Sequence, residues 1–159
     1  MSAGAEEHMI IKCISGVAML AIFIIAPWAF SAESGAYVGG KKCEVCHSAI
    51  SKSWQDTRHA KAMESLKKSN QENLPNCVKC HVTGYERDGG FIDNELTPEM
   101  AGVQCEVCHG PGGDHVKNPG AKKMIKESGE ETCRPCHTKG QDPGFNYAEK
   151  VKLVHGAKQ

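Results

Sequence analysis

The chain of 159 residues has no surplus charge to offer a polyanion. Its 19 lysines and arginines are matched by 19 aspartates and glutamates. Setting aside the first 31 residues removes Lys12, Glu6 and Glu7 and leaves 18 basic against 17 acidic residues, so no basic surface points to nucleic acid. Long apolar runs are scarce too. The main one, Ile14–Ala26, is short of the roughly 20 residues that cross a bilayer. Beyond it large apolar side chains are few, aromatic residues are 6% of the chain, and Gly, Lys and Asn are abundant. A polypeptide of this composition cannot set enough apolar burial against its conformational entropy to build an ordinary core. Something other than aliphatic side chain must fill the middle.

The apolar run reads as the centre of a secretory signal. Lys12 precedes it, Pro27 and Trp28 close it, and Ala29 and Ser31 are the small residues that a signal peptidase requires. Cleavage is expected near Ser31 or Ala32, and the start MIIK at Met9 suits a signal better than the acidic residues before it. The alternative is an uncleaved membrane anchor, since counting to Phe30 brings the run close to a span. The expected organisation is a signal peptide over 1–31 and one domain over 32–159, exported to the periplasm, with no membrane span in the mature chain. Cys13, which no lipobox precedes, leaves with the leader.

The other eight cysteines fall into four pairs, each followed by histidine: Cys43, Cys46 and His47; Cys77, Cys80 and His81; Cys105, Cys108 and His109; Cys133, Cys136 and His137. Export permits disulfides, and CxxC pairs also build zinc sites. Neither accounts for the fifth letter. Histidine is 8 of 159 residues, so chance would place it after all four pairs only about once in 10⁵ cases. Covalent c-type haem uses every letter: two thiols form thioethers to the haem, and the adjacent histidine takes the iron. Four c-type haems are therefore expected. They also supply the missing core, because porphyrin takes the place of aliphatic side chain. A chain of this length has a radius of gyration of about 14 Å, which forces the macrocycles close to contact and makes electron hopping between them fast.

Four histidines lie outside the motifs, and His8 belongs to the leader. His59 shares a helical stripe with Ala62, Met63 and Leu66, while Arg58, Lys61 and Lys67 lie off it. If the helix after the first motif is continuous, His59 stands about 18 Å from His47, whereas two ligands of one iron lie about 4 Å apart. It should then serve a different haem. Met63, one turn on, reads as packing rather than as a ligand. His115 follows the glycine-rich GPGGD, where backbone can pass close to a porphyrin. His155 ends a short helix whose stripe is Tyr147, Val151 and Val154, with Gly156 as its terminator. Three candidate distal ligands thus face four motif histidines, and one iron is left over. Elsewhere, Tyr85–Ile92 suggests a small β-hairpin with a turn at Asp88-Gly89, Thr97 and Pro98 open a helical turn, and Ala121–Ser128 reads as helix. The fold expected is mainly α, with a small β-hairpin and a haem-packed core.

The stretch KKCEVCHSAISKSWQDTRHAKAMESLKK resembles the opening of the cytochrome c-554 family, tetrahaem electron carriers best known from ammonia-oxidising bacteria. The likeness continues through CVKCHVTGY, GVQCEVCHGPGGDH and FNYAEKVKLVH and covers nearly all of the chain beyond the leader. The resemblance implies a mainly helical fold with haems in stacked and perpendicular pairs. It also implies a ligand map of His47 with His115, His109 with His155 and His137 with His59, leaving the His81 haem five-coordinate. This chain departs from the family in being shorter between its fourth motif and its last histidine, where the family helps cover the open haem face. The function expected is electron transfer between redox protein partners, without substrate chemistry. Two alternatives are reduction of nitric oxide or a related small molecule at the open haem, and a conductive polymer in which a neighbouring copy completes it.

Overall fold

The structure is a computed structural model and describes residues 35–155. The expected leader and the terminator Gly156 lie outside the described residues. Its elements are short helices in the order α1 (Gly40–Glu44), α2 (Ser48–Gln55), α3 (Ala62–Lys68), α4 (Pro75–Val78), a 3-10 turn (Pro98–Met100), α5 (Cys105–His109), α6 (Gly113–Lys117), α7 (Glu130–Cys133), α8 (Tyr147–Lys150) and a second 3-10 turn (Val151–Leu153). None approaches the ~12 residues at which a helix becomes marginally stable alone, so tertiary contacts must hold them. No described helix is long and apolar enough to cross a membrane.

Only six large apolar side chains are buried among the described residues: Met63, Leu66, Val78, Val82, Phe91 and Met100. They form one cluster, with Tyr37, Cys77, Tyr85 and Ala101 packed against it. Met63 is one of its members, the packing role that its position on the His59 stripe suggested. The cluster gathers at the second motif, and among the described residues the other three motifs have no apolar nucleus of their own.

The helix after the first motif is not continuous. It breaks over residues 56–61, between α2 and α3. Thr57 Oγ1 accepts the Ala60 N–H at 3.3 Å, a local bond that competes with the helical ladder. The break also frees backbone for a distant segment: His59 O accepts from Val103 N at 2.9 Å, and Trp54 Nε1 donates to Val103 O at 3.0 Å. His59 therefore sits in a turn pinned to the chain just before the third motif.

Tyr85–Ile92 forms no hairpin. The isolated bridge between Val82 and Ala101 is the sole β pairing described, and the segment is a knot of turns closed by Phe91 N to Thr83 O at 3.0 Å. Gly89 has φ +69°, and a Cβ there would stand 2.2 Å from Tyr37 O. The glycines serve a backbone crossing, in which Tyr37 N donates to Asp88 O at 2.9 Å, rather than a two-strand turn. Pro98 opens its 3-10 turn as expected, but the Thr97 hydroxyl accepts from Ile92 N at 2.8 Å instead of capping.

Residues 121–128 are not helical. Lys122 O lies 2.6 Å from His115 Nδ1 and Ile125 O 2.5 Å from His109 Nδ1. A helix would consume these carbonyls internally, and the two imidazoles would lose their partners.

Candidate functional site

Cys-x-x-Cys-His is compact because a helical turn brings positions i, i+3 and i+4 to one side. The third motif is α5 in its entirety, and in the first and fourth the histidine N–H reaches the first cysteine's carbonyl at 2.9 Å. Each motif thus presents two thiols and one imidazole together.

The eight thiols form no disulfide. They meet across motifs. Cys43 donates toward Cys105, which raises the Cys43 pKa and, as the largest influence on Cys105, lowers that thiol to about 7. Burial, and then Cys133 and Cys105, push Cys108 up to about 11. Burial, followed by a hydrogen bond with Cys80, pushes Cys136 up to about 12. Helix packing agrees, with α1 against α5 and α5 against α7. The motifs are therefore neighbours in the order first, third, fourth, second. Among the described residues no three or more His, Cys, Asp or Glu converge as a metal cluster, so the donors are not arranged as a four-thiolate zinc site.

The histidines are arranged in pairs. His47 and His115 have ring centroids 6.5 Å apart, His59 and His137 6.0 Å, and His109 and His155 6.2 Å. Two imidazoles on opposite sides of one iron have ligating nitrogens about 4 Å apart and centroids roughly 1 Å further out on each side, about 6 Å in all. Every pair fits that separation. Each joins a motif histidine to one outside the motifs, and all three expected distal candidates are used. His59 goes to His137 across the chain, despite the broken helix. Among the described residues His81 has no second imidazole at such a distance.

The ring nitrogens fit the same purpose. A carbonyl can only accept, so a ring nitrogen facing one must carry the proton, and the lone pair stays on the other nitrogen for a metal. Beyond the two carbonyl contacts of His109 and His115, His81 Nδ1 faces Ala62 O at 2.8 Å, with Ser65 Oγ at 3.3 Å. His137 Nδ1 lies 2.9 Å from Asp142 Oδ2, and Phe145 stacks on the same imidazole at 4.6 Å. Burial, with the nearby His137, lowers the His59 pKa and favours its neutral, ligating form. His155 Nδ1 is buried without a hydrogen-bond partner among the described residues, a nitrogen that a metal would satisfy. The residues present fit four haems, with the eight cysteines as anchors and the seven histidines as axial donors.

Sequence reasoning missed Glu106. It is wholly buried, and its carboxylate accepts from Val38 N, Gly39 N and Gly112 N. It also missed Asp142. No spacing rule marks either residue.

Comparison with known proteins adds the following. Residues 42–110 match the family described as cytochrome c554 and c-prime. Cytochrome c-554 of Nitrosomonas europaea is 36% identical over 92% of this chain and 69% of its own length. The multiheme cytochrome MtrA of Shewanella baltica is 33% identical, over 44% of this chain and a quarter of its own length. The solved structure of reduced cytochrome c554 from Nitrosomonas europaea superposes with a TM-score of 0.62 at 32% identity, covering 79% of this chain and 86% of that one.

Proposed function

The chain belongs to the cytochrome c554 family, and from that premise we propose that it is an exported tetrahaem electron carrier with three haems closed by histidine pairs and one left open. Membership makes it a multihaem c-type cytochrome, an electron carrier with redox partners. The finer reading rests on one observation: among the described residues each histidine outside the motifs stands 6.0–6.5 Å from a motif histidine, and His81 is left without one.

When bound, the haems supply one-electron transfer at iron. The residues of the chain do the rest. Cys43, Cys46, Cys77, Cys80, Cys105, Cys108, Cys133 and Cys136 tether the groups. His47 with His115, His109 with His155 and His137 with His59 would hold three of the groups, and His81 would hold the fourth. The carbonyls of Ala62, Ile125 and Lys122 fix the tautomers of His81, His109 and His115. The order of motif contacts would seat the groups in the sequence first, third, fourth, second, with His81 at one end. Paired histidines would keep the three groups they hold below the potential that a methionine ligand would give. The leader supports export to the periplasm, with the haem domain over 32–159.

Intact mass and a redox titration test this together. The expected result is four covalent haem additions, with three haems titrating below a typical His/Met cytochrome. Fewer additions, or three haems well above that range, contradict the reading.

A further inference from the structure

The pentapeptide CEVCH occurs twice, and its glutamate has two fates. Glu44 in the first motif is exposed. Glu106 in the third has no exposed surface. Oε1 of Glu106 accepts from Val38 N at 3.0 Å and Gly112 N at 2.6 Å. Oε2 accepts from Val38 N at 3.1 Å and Gly39 N at 2.8 Å. A buried carboxylate is costly unless hydrogen bonds replace its lost water, and the two successive N–H groups of Val38 and Gly39, joined by Gly112, form a concave backbone site of that kind.

What those N–H groups belong to gives the contact its meaning. Val38 and Gly39 lead directly into α1, which carries Cys43 of the first motif. Gly112 is the N-cap of α6, which carries His115. Glu106 itself lies in α5, between Cys105 and Cys108 of the third motif. One side chain thus ties together the anchor of the first haem, the distal ligand of the first haem and the anchor of the third. Neighbouring bonds run along the same seam: Gly40 N donates to Gln104 Oε1 at 2.5 Å, and Gly113 N to Ala36 O at 3.0 Å. Gln104 also donates through Nε2 to Glu99 O at 2.7 Å and Ala101 O at 2.9 Å, which links α1 to the 3-10 turn, whereas Glu106 links α1 to the segment that carries His115.

We propose that Glu106 is a positioning residue for axial ligation: its carboxylate holds the Gly112–His115 turn at the distance from His47 that lets both imidazoles share one iron. This rests on the ligand reading above. Glu106 touches neither iron nor imidazole and acts through the backbone it grips.

The test counts iron spin states by low-temperature Mössbauer spectroscopy of the ⁵⁷Fe-enriched, oxidised holoprotein, which registers each iron even where close haems couple magnetically. Glu106→Gln replaces one acceptor oxygen with an N–H donor facing backbone N–H groups. It is expected to move a second of the four irons to high spin, giving two high-spin and two low-spin sites against one and three in the wild type. Glu44→Gln, the same change in the same pentapeptide, should stay at one and three. A Glu106→Gln protein carrying four haems that remains at one and three overturns the proposal. A wild type that departs from one and three overturns the ligand reading and this inference with it. Should Glu106→Gln fail to load its haems, amide exchange in the wild type decides. The Val38, Gly39 and Gly112 amides are expected among the most protected outside helices, and exchange as fast as exposed loop amides overturns the proposal.

Discussion

Asp142 accepts from His137 at 2.9 Å, and among the described residues no other motif histidine has a carboxylate partner. A carboxylate behind an axial imidazole increases its donation to the metal and stabilises the oxidised state. Asp142→Asn keeps the shape and removes the charge. It should shift one low-spin haem to higher potential by roughly tenfold in its reduction equilibrium, about 59 mV for one electron, in a haem-resolved redox titration. Four unchanged potentials would show that the contact only orients the ring. At His59, replacement by alanine should convert one further iron to high spin, and added imidazole should restore it. An unaltered spin count would remove His59 from the ligand set. At the residue scale the sequence singled out eight thiols, four motif histidines and three spare ones, and the structure brings each spare histidine to 6.0–6.5 Å from a motif histidine. The map pairing those histidines, which the family resemblance implied, is the one whose separations fit. Glu106 and Asp142 were not legible, because their roles depend on which backbone or imidazole lies opposite. Glu44 and Glu106 share their immediate neighbours and differ only in what the fold brings to them.

Short helices carry the motifs, and the segments between them are shaped by what the histidines need. The stretch over 121–128 has helix-favouring residues, yet it stays irregular so that Lys122 O and Ile125 O can face His115 and His109. Helical periodicity in sequence cannot register a demand placed on carbonyls by side chains elsewhere. The break over 56–61 has the same origin, since Val103 takes the carbonyl of His59. The loop over residues 84–91 was marked by its glycines, but for a hairpin turn rather than for the passage of Tyr37. The distinction is testable at Gly89, whose φ of +69° and 2.2 Å approach to Tyr37 O leave no room for a methyl group. Gly89→Ala should cost roughly 1–3 kcal/mol, read as a lowered midpoint in thermal unfolding of the holoprotein. A midpoint equal to that of the wild type would mean that the crossing of Tyr37 is not tight.

At the scale of the whole molecule, the six apolar side chains buried among the described residues are too few to organise four motifs. The composition pointed the same way before any fold was known: few large apolar residues, balanced charge and fifteen candidate haem-binding residues ask for something other than aliphatic side chain in the interior. The mainly helical architecture followed from that composition together with the family resemblance. The detailed path did not, because turns that wrap a cofactor carry little periodicity of their own. A protein built this way should not keep its fold when the groups around which it forms are withheld. Produced without haem attachment, the chain is expected to lose cooperative unfolding and most amide protection; a haem-free chain with a sharp transition would argue for a self-sufficient core. The most direct test of the central claim, three irons closed by histidine pairs and one open at His81, is the spin count of the oxidised wild-type protein. A Mössbauer spectrum with three low-spin ferric sites and one high-spin site is the predicted result, and four low-spin sites, or two or more high-spin sites, would contradict it.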